Sequence, residues 1–109
     1  FVNVAGGMEL DEPAVDLGVA LALISSFRNK PLDSKMMVCG EVGLAGEVRN
    51  IAQLELRLAE AKKLGFKRAI VPRSSLDKLD KGAPKGLQAL GVRTLAEAVN
   101  MAFEMEGGS

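Results

Sequence analysis

The sequence contains no histidine among its 109 residues. Ser-His and Cys-His nucleophile pairs are therefore impossible, and the only hydrolytic arrangement left open is a serine activated by a lysine. The serines are Ser25, Ser26, Ser34, Ser74, Ser75 and Ser109. Ser25, Ser26 and Ser34 do not fall on an obvious exposed strand-to-helix elbow. Ser25 and Ser26 come late in a helical pattern and Ser34 in a loop, where capping or solvation accounts for them. Cys39 lies inside an apolar run and reads as a small core residue rather than a nucleophile. As the single cysteine it also excludes an internal disulfide or a Cys-rich zinc site, and a reducing cytosol is its natural home.

Binding chemistry is equally sparse. Glu9, Asp11, Glu12 and Asp16 gather near the start of the first helical pattern, but without the glycine and spacing of an EF-hand loop. Acids favouring the positive end of a helix dipole are the simpler reading. Gly6-Gly7 and the glycines from Gly40 to Gly46 match neither a nucleotide phosphate loop nor a dinucleotide fingerprint, so this stretch holds no cofactor in a recognised way. Charge is the more informative signal. Basic and acidic residues balance at 14 each, yet Arg57 to Lys85 carries nine Lys or Arg against Glu60, Asp77 and Asp80, a local charge of +6 that attracts polyanions. Trp and Tyr are absent, which argues against an aromatic stacking platform for single strands and leaves phosphate contacts as the route to nucleic acid.

The elements that must position these groups follow from periodicity. With 48% hydrophobic residues, the chain has enough apolar content for one globular domain with a core of Val, Leu, Ile, Ala and Met. Phe1 to Ala5 alternates as a strand ending at Gly6-Gly7. Ala14, Leu17, Leu21 and Ile24 predict a helix over about 13–28, with Pro13 in its first turn. Its other faces carry Val15, Val19, Ala20 and Leu23, so burial on most sides is expected. Met36 to Val42 and Glu47 to Ile51, separated by Gly43-Leu44-Ala45-Gly46, read as a hairpin.

Ile51, Leu54, Leu58, Ala61 and Leu64 form the stripe of a second helix capped at Gly65. Arg68 to Pro72 is a short strand, Arg73 to Gly86 a loop with one helical turn at Ser74 to Leu79, and Leu87 to Val92 another strand. Thr94 caps a last helix to about Glu104, with Glu97 as its capping-box partner. The order β, α, β, β, α, β, β, α is α/β grammar. Residues 1–106 are expected to form one domain, with 107–109 a flexible tail or cloning remnant. Apolar runs such as Val19 to Ile24 are far shorter than the roughly 20 residues of a membrane span, and no signal-like segment is present, so a cytoplasmic protein with no membrane partner is expected.

Several of these stretches together resemble a known family: Asn3-Val4-Ala5-Gly6-Gly7, Asp11-Glu12-Pro13-Ala14-Val15-Asp16-Leu17, Gly40-Glu41-Val42-Gly43-Leu44-Ala45-Gly46-Glu47-Val48-Arg49, and the run from Glu60 to Pro72. They are similar to the C-terminal domain of the bacterial RadA (Sms) DNA repair family. That domain is a relative of the Lon proteolytic domain and has the ribosomal protein S5 domain 2-like fold. The resemblance covers nearly the whole chain and implies that the domain's N-terminal elements, further strands and a helix, lie before Phe1. In active Lon proteases the nucleophile sits in a Pro-Ser-Ala-Gly segment, and Asp16 falls at that serine. The Lon lysine lies in a Gly-Gly-x-Lys-Glu-Lys segment, which here reads Ala52 to Arg57, so Glu55 stands at the lysine and Arg57 at the second lysine. An Asp cannot serve as the acyl acceptor, since its acyl adduct would be a labile, anhydride-like species.

The resemblance thus implies a degenerate protease site at Asp16, Glu55 and Arg57, with no catalytic residue. It implies a scaffold for a hexameric, DNA-dependent ATPase or helicase acting in DNA repair and homologous recombination, in the processing or branch migration of recombination intermediates. ATP, Mg and Zn belong to other parts of such a parent protein, which places a zinc-finger segment and a RecA-like core in series with this domain. DNA, sister subunits and a recombinase are the expected partners. Arg49, Arg57, Lys62, Lys63, Lys67 and Arg68 are the candidate DNA contacts. Two other readings stand beside this one: an active Ser-Lys peptidase of Lon type, and a domain that only oligomerises.

Overall fold

The computed structural model describes residues 13–104, and the expected strand at Phe1 to Ala5, the acids Glu9, Asp11 and Glu12, and the 107–109 tail lie outside them. A 3-10 turn at Pro13–Val15 leads into α1, Asp16–Arg28. Three short strands follow: β1 at Met36–Val38, β2 at Glu41–Val42 and β3 at Val48–Arg49. Next come α2 (Leu54–Lys63), β4 (Arg68–Pro72), α3 (Arg73–Leu76) and β5 (Gln88–Val92). The last helix, α4 at Leu95–Val99, runs on as a π-helical turn at Asn100–Glu104.

The main sheet has the order β1-β4-β5 with both pairings parallel; Met36 to Val38 faces Arg68 to Ile70, and Arg68 to Pro72 faces Gln88 to Val92. A sheet made this way needs both faces covered, and the strand sequences show it. Met36, Val38, Ile70 and Val92 point into one cluster with Leu17 and Leu21 of α1 and Ala98, Ala102 and Phe103 near the C-terminus. Met37, Cys39, Ala69 and Val71 point into the other, with Leu54, Leu58 and Ala61 of α2. The strict alternation of neighbours between two clusters is the period-two geometry of a strand, and the result is an α/β/α sandwich. No helix among the described residues is long and apolar enough to cross a membrane.

The expected single hairpin from Met36 to Ile51 is instead split between two sheets. β1 joins β4, and only β2 and β3 pair antiparallel, Glu41 with Arg49 and Val42 with Val48. The division falls at Gly40. Its N–H donates to the carbonyl of Ala14 at 2.8 Å, its carbonyl accepts from Leu17 N–H at 2.9 Å, and a Cβ there would lie 3.1 Å from Val48 and 3.2 Å from Leu17. Glycine lets the backbone press against the start of α1, which bends the chain out of the first sheet.

Two further corrections have local causes. The second helix begins at Leu54 rather than Ile51, because Gln53 is held at φ 59°, ψ 40°, outside the right-handed helical region. The Thr94 cap forms as expected, Oγ1 accepting Glu97 N–H at 3.1 Å, but the Glu97 carboxylate takes the N–H of Arg93 at 2.6 Å instead of that of the cap residue. Asn29 closes α1 in the left-handed conformation, with Lys30 N–H donating to Ser25 O at 3.0 Å and Asn29 N–H to Ser26 O at 3.2 Å, the paired bonds of a Schellman motif. Burial of α1 on most sides is not observed. Leu17 and Leu21 are sealed, while Val19, Leu23 and Phe27 are 38, 67 and 92% exposed.

Candidate nucleic-acid interface

The basic stretch is distributed by α2 and the long connection that follows α3. α2 buries Leu54, Leu58 and Ala61 against the sheet, which turns the intervening positions to solvent. Beside it, the loop at residues 81–85 lies along Glu55, Leu58 and Ala59, and the two enclose a cavity of about 490 Å³. Lys81, Gly82, Ala83, Pro84 and Lys85 form its loop wall. Lys62 closes over one side, its Nζ donating to the carbonyl of Lys85. Lys62, Lys63, Lys67, Lys81 and Lys85 are all exposed, and none has an acidic partner among the described residues. The arrangement is a groove with an apolar floor, bordered by Lys62, Lys81 and Lys85 and suited in charge to a phosphate backbone.

Three of the six candidate contacts behave differently. Arg49 on β3 is committed to acids: its guanidinium meets Glu47 at 2.8 and 3.1 Å and Glu41 at 3.9 Å. The hydrogen bond from Arg49 holds the Glu47 carboxyl below the usual range, and the same bond raises Arg49. Arg68, at the start of β4, is paired with Asp33 in the loop before β1; that hydrogen bond, with a second from Lys35 N–H at 2.9 Å, lowers the Asp33 carboxyl. Arg57 turns its Nε to the Ala52 carbonyl at 2.8 Å, bracing the start of α2. The basic stretch read from the sequence, Arg57 to Lys85, includes Lys81 and Lys85, which the named candidate contacts omit and which line the groove. It also overlooks Asp33 and Glu47 as partners. For Glu47 a signal existed, since Glu-x-Arg along a strand puts both side chains on one face.

The positions that the resemblance sets against the Lon dyad lie on different helices. Asp16 opens α1, and its Oδ2 accepts the N–H of Val42 at 3.2 Å, tying the helix to β2. Glu55 lies in the first turn of α2, exposed on the groove wall. Asp16 is not among the residues lining that groove. Among the described residues no three His, Cys, Asp or Glu side chains converge so as to hold a metal ion.

A family model described as subunit ChlI of Mg-chelatase matches residues 1–75. The chain belongs to that family. Shared descent carries a fold, while activity resides in particular sites. Relatives named DNA repair protein RadA match almost the whole chain. The protein from Bacillus subtilis is 48% identical over 99 residues, which are 91% of this chain and 21% of that protein. The Escherichia coli protein is 46% identical over 101 residues, 93% of this chain and 21% of its own length, and the Synechocystis protein 45% over 95 residues, 87% and 17%. The chain therefore spans about a fifth of the length of the curated relatives it matches.

Proposed function

We propose that this chain is a non-proteolytic, Lon-like module of a DNA repair protein, and that it holds the DNA backbone along the groove between α2 and the 81–85 loop. The observation that carries this reading is a set of exposed lysines: Lys62, Lys81 and Lys85 border the groove, Lys63 and Lys67 belong to the same basic stretch, and all five are without acidic partners among the described residues. Such a surface neutralises phosphates without reading sequence. The parent protein is a hexameric, DNA-dependent ATPase acting on recombination intermediates, with ATP, Mg and Zn held by its other parts and a recombinase as partner. This module contributes to the ring and to DNA contact. Proteolysis is not part of the reading, because Asp16 cannot be acylated productively and spends its carboxylate on Val42 N–H.

The test is duplex affinity of the intact parent protein across a salt series. Replacing Lys62, Lys63, Lys67, Lys81 and Lys85 by alanine is expected to weaken binding equally for unrelated sequences. It should also flatten the dependence of log K on log salt by about 0.9 for each phosphate that is no longer neutralised. Unchanged affinity and slope would remove the groove from the DNA surface and leave a module that only assembles the ring. Cleavage of unfolded casein by the same protein, sensitive to a serine-directed probe, would revive the peptidase reading.

A further inference from the structure

The groove between α2 and the 81–85 loop has two features that a phosphate backbone leaves unused. Its floor is apolar, formed by Ala59 of α2 and by Ala83 and Pro84 of the loop, over the buried Leu58. On its wall stands Glu55, exposed and without a cationic partner among the described residues.

The outside of a paired duplex presents phosphates and sugar edges, while the apolar faces of its bases are stacked within. Against such a surface the floor has nothing apolar to cover, and the carboxylate repels the phosphates. An unpaired nucleotide accounts for both features. Its base has an apolar face to lay on the floor, and an amino group on its Watson–Crick edge donates to a carboxylate, as cytosine N4 does to Glu or Asp. Size agrees with this. The cavity of about 490 Å³ falls among the roughly 300–1,000 Å³ sites that enclose small organic molecules. Lys62, Lys81 and Lys85 border the same space, so the phosphates flanking an unpaired nucleotide keep their cations.

We infer that the groove seats one unpaired nucleotide, its base on the Ala59-Ala83-Pro84 floor and its amino group donating to Glu55, with the flanking phosphates held by Lys62, Lys81 and Lys85. The inference rests on the reading of this groove as a DNA surface and adds a preference to it. Taking a base out of an intact stack costs free energy that a nucleotide already unpaired does not incur. The groove therefore favours DNA with a bulge or gap over a fully paired duplex.

Anisotropy titrations of the intact parent protein against three duplexes of one sequence test this: fully paired, with an extra cytidine in one strand, and with an abasic tetrahydrofuran residue in place of that cytidine. The two bulged duplexes carry the same phosphates, so the ratio of their affinities isolates the base. The cytidine bulge should bind at least about tenfold more tightly than the abasic one, the scale of a hydrogen bond to a charged acceptor. Glu55→Ala should lose most of that ratio and, without a carboxylate beside the phosphates, bind the paired duplex more tightly. Unfolding of the module cannot produce these opposite changes. Equal binding of the two bulges by the wild type overturns the inference. A ratio that survives in Glu55→Ala overturns it as well, because the base is then held elsewhere in the parent protein. Replacing Lys62, Lys81 and Lys85 by alanine separates these failures from failure of the underlying reading. If that variant weakens all three duplexes while the wild type binds the two bulges alike, the groove holds a backbone without a base. If it weakens none, the groove is not a DNA surface and both readings fall.

Discussion

Arg68 and Asp33 form an ion pair at one end of the central strand, between the start of β4 and the loop that precedes β1, with side chains only 20 and 25% exposed. The pair docks the loop on the strand that β1 must join, so it belongs to the parallel pairing of β1 with β4 and not to the ligand surface. Partial burial gives it more weight than an exposed pair of the kind made by Arg49 and Glu47. Because Arg68 lowers the folded-state pKa of Asp33 and so favours its ionised form, the pair's contribution is full above the ordinary aspartate value near 3.9 and disappears as pH falls through the lower folded value. Urea melts of wild type and Asp33→Asn should differ at pH 7 and converge on acidification below about 4. Arg68→Ala should cost about 1 kcal/mol of stability at neutral pH and leave the salt slope of DNA binding unchanged.

Ser75 is the one buried polar or charged residue among those described. Its Oγ accepts Ile51 N–H at 3.0 Å and stands 3.5 Å from Ile51 O, so a single hydroxyl on α3 fixes the segment entering α2. Removing it leaves a partly buried N–H without its acceptor. Ser75→Ala should lower stability by about 1–2 kcal/mol, measured by chemical denaturation, whereas Ala at the exposed neighbour Ser74 should cost less.

What the sequence revealed and concealed divides along physical lines. Strands β4 and β5, the stripe of α2 and the Thr94 cap were legible because each is set by local pattern: an apolar run stopped by Pro72, a helical period, a capping residue. The split at Gly40 was not, since it depends on contact with Ala14, Leu17 and Val48, which come from elsewhere in the chain. The same holds for the candidate interface. Local charge located the basic stretch, but only the fold separates Lys62, beside the groove, from Arg68, which is turned toward Asp33. The Lon-like positions Asp16 and Glu55 could be read from resemblance alone; that Asp16 holds β2 through Val42 N–H is a property of the folded chain.

Among the described residues two other than glycine adopt positive φ, Asn29 at 54° and Gln53 at 59°. Asn tolerates the left-handed region through its short polar side chain, while Gln does not share that ease. Gln53→Gly should therefore raise stability by roughly 0.5–1 kcal/mol, after allowing for the extra freedom glycine gives the unfolded chain. Asn29→Gly should change it by less. Thermal melts of the two variants side by side give the comparison, and equal gains would mean that the backbone at Gln53 is relieved by something other than loss of the side chain.

Glu55 offers the sharpest separation between the peptidase reading and the proposed DNA surface. Its carboxylate stands on the groove wall opposite Lys81 and Lys85, where it repels the phosphates those lysines attract. Glu55→Lys restores a lysine at the Lon position and also reverses the charge at that point of the groove. On the DNA reading the variant binds duplex more tightly, with a log K against log salt slope steeper by about 0.9 if one further phosphate is engaged. On the peptidase reading the restored lysine would activate a nucleophile, but Asp16 is not an alcohol, so casein cleavage should remain absent. Anisotropy titrations and a casein digest on the same preparation read both outcomes. Tighter binding without cleavage is the expected result; unchanged binding would place the DNA away from the α2 groove.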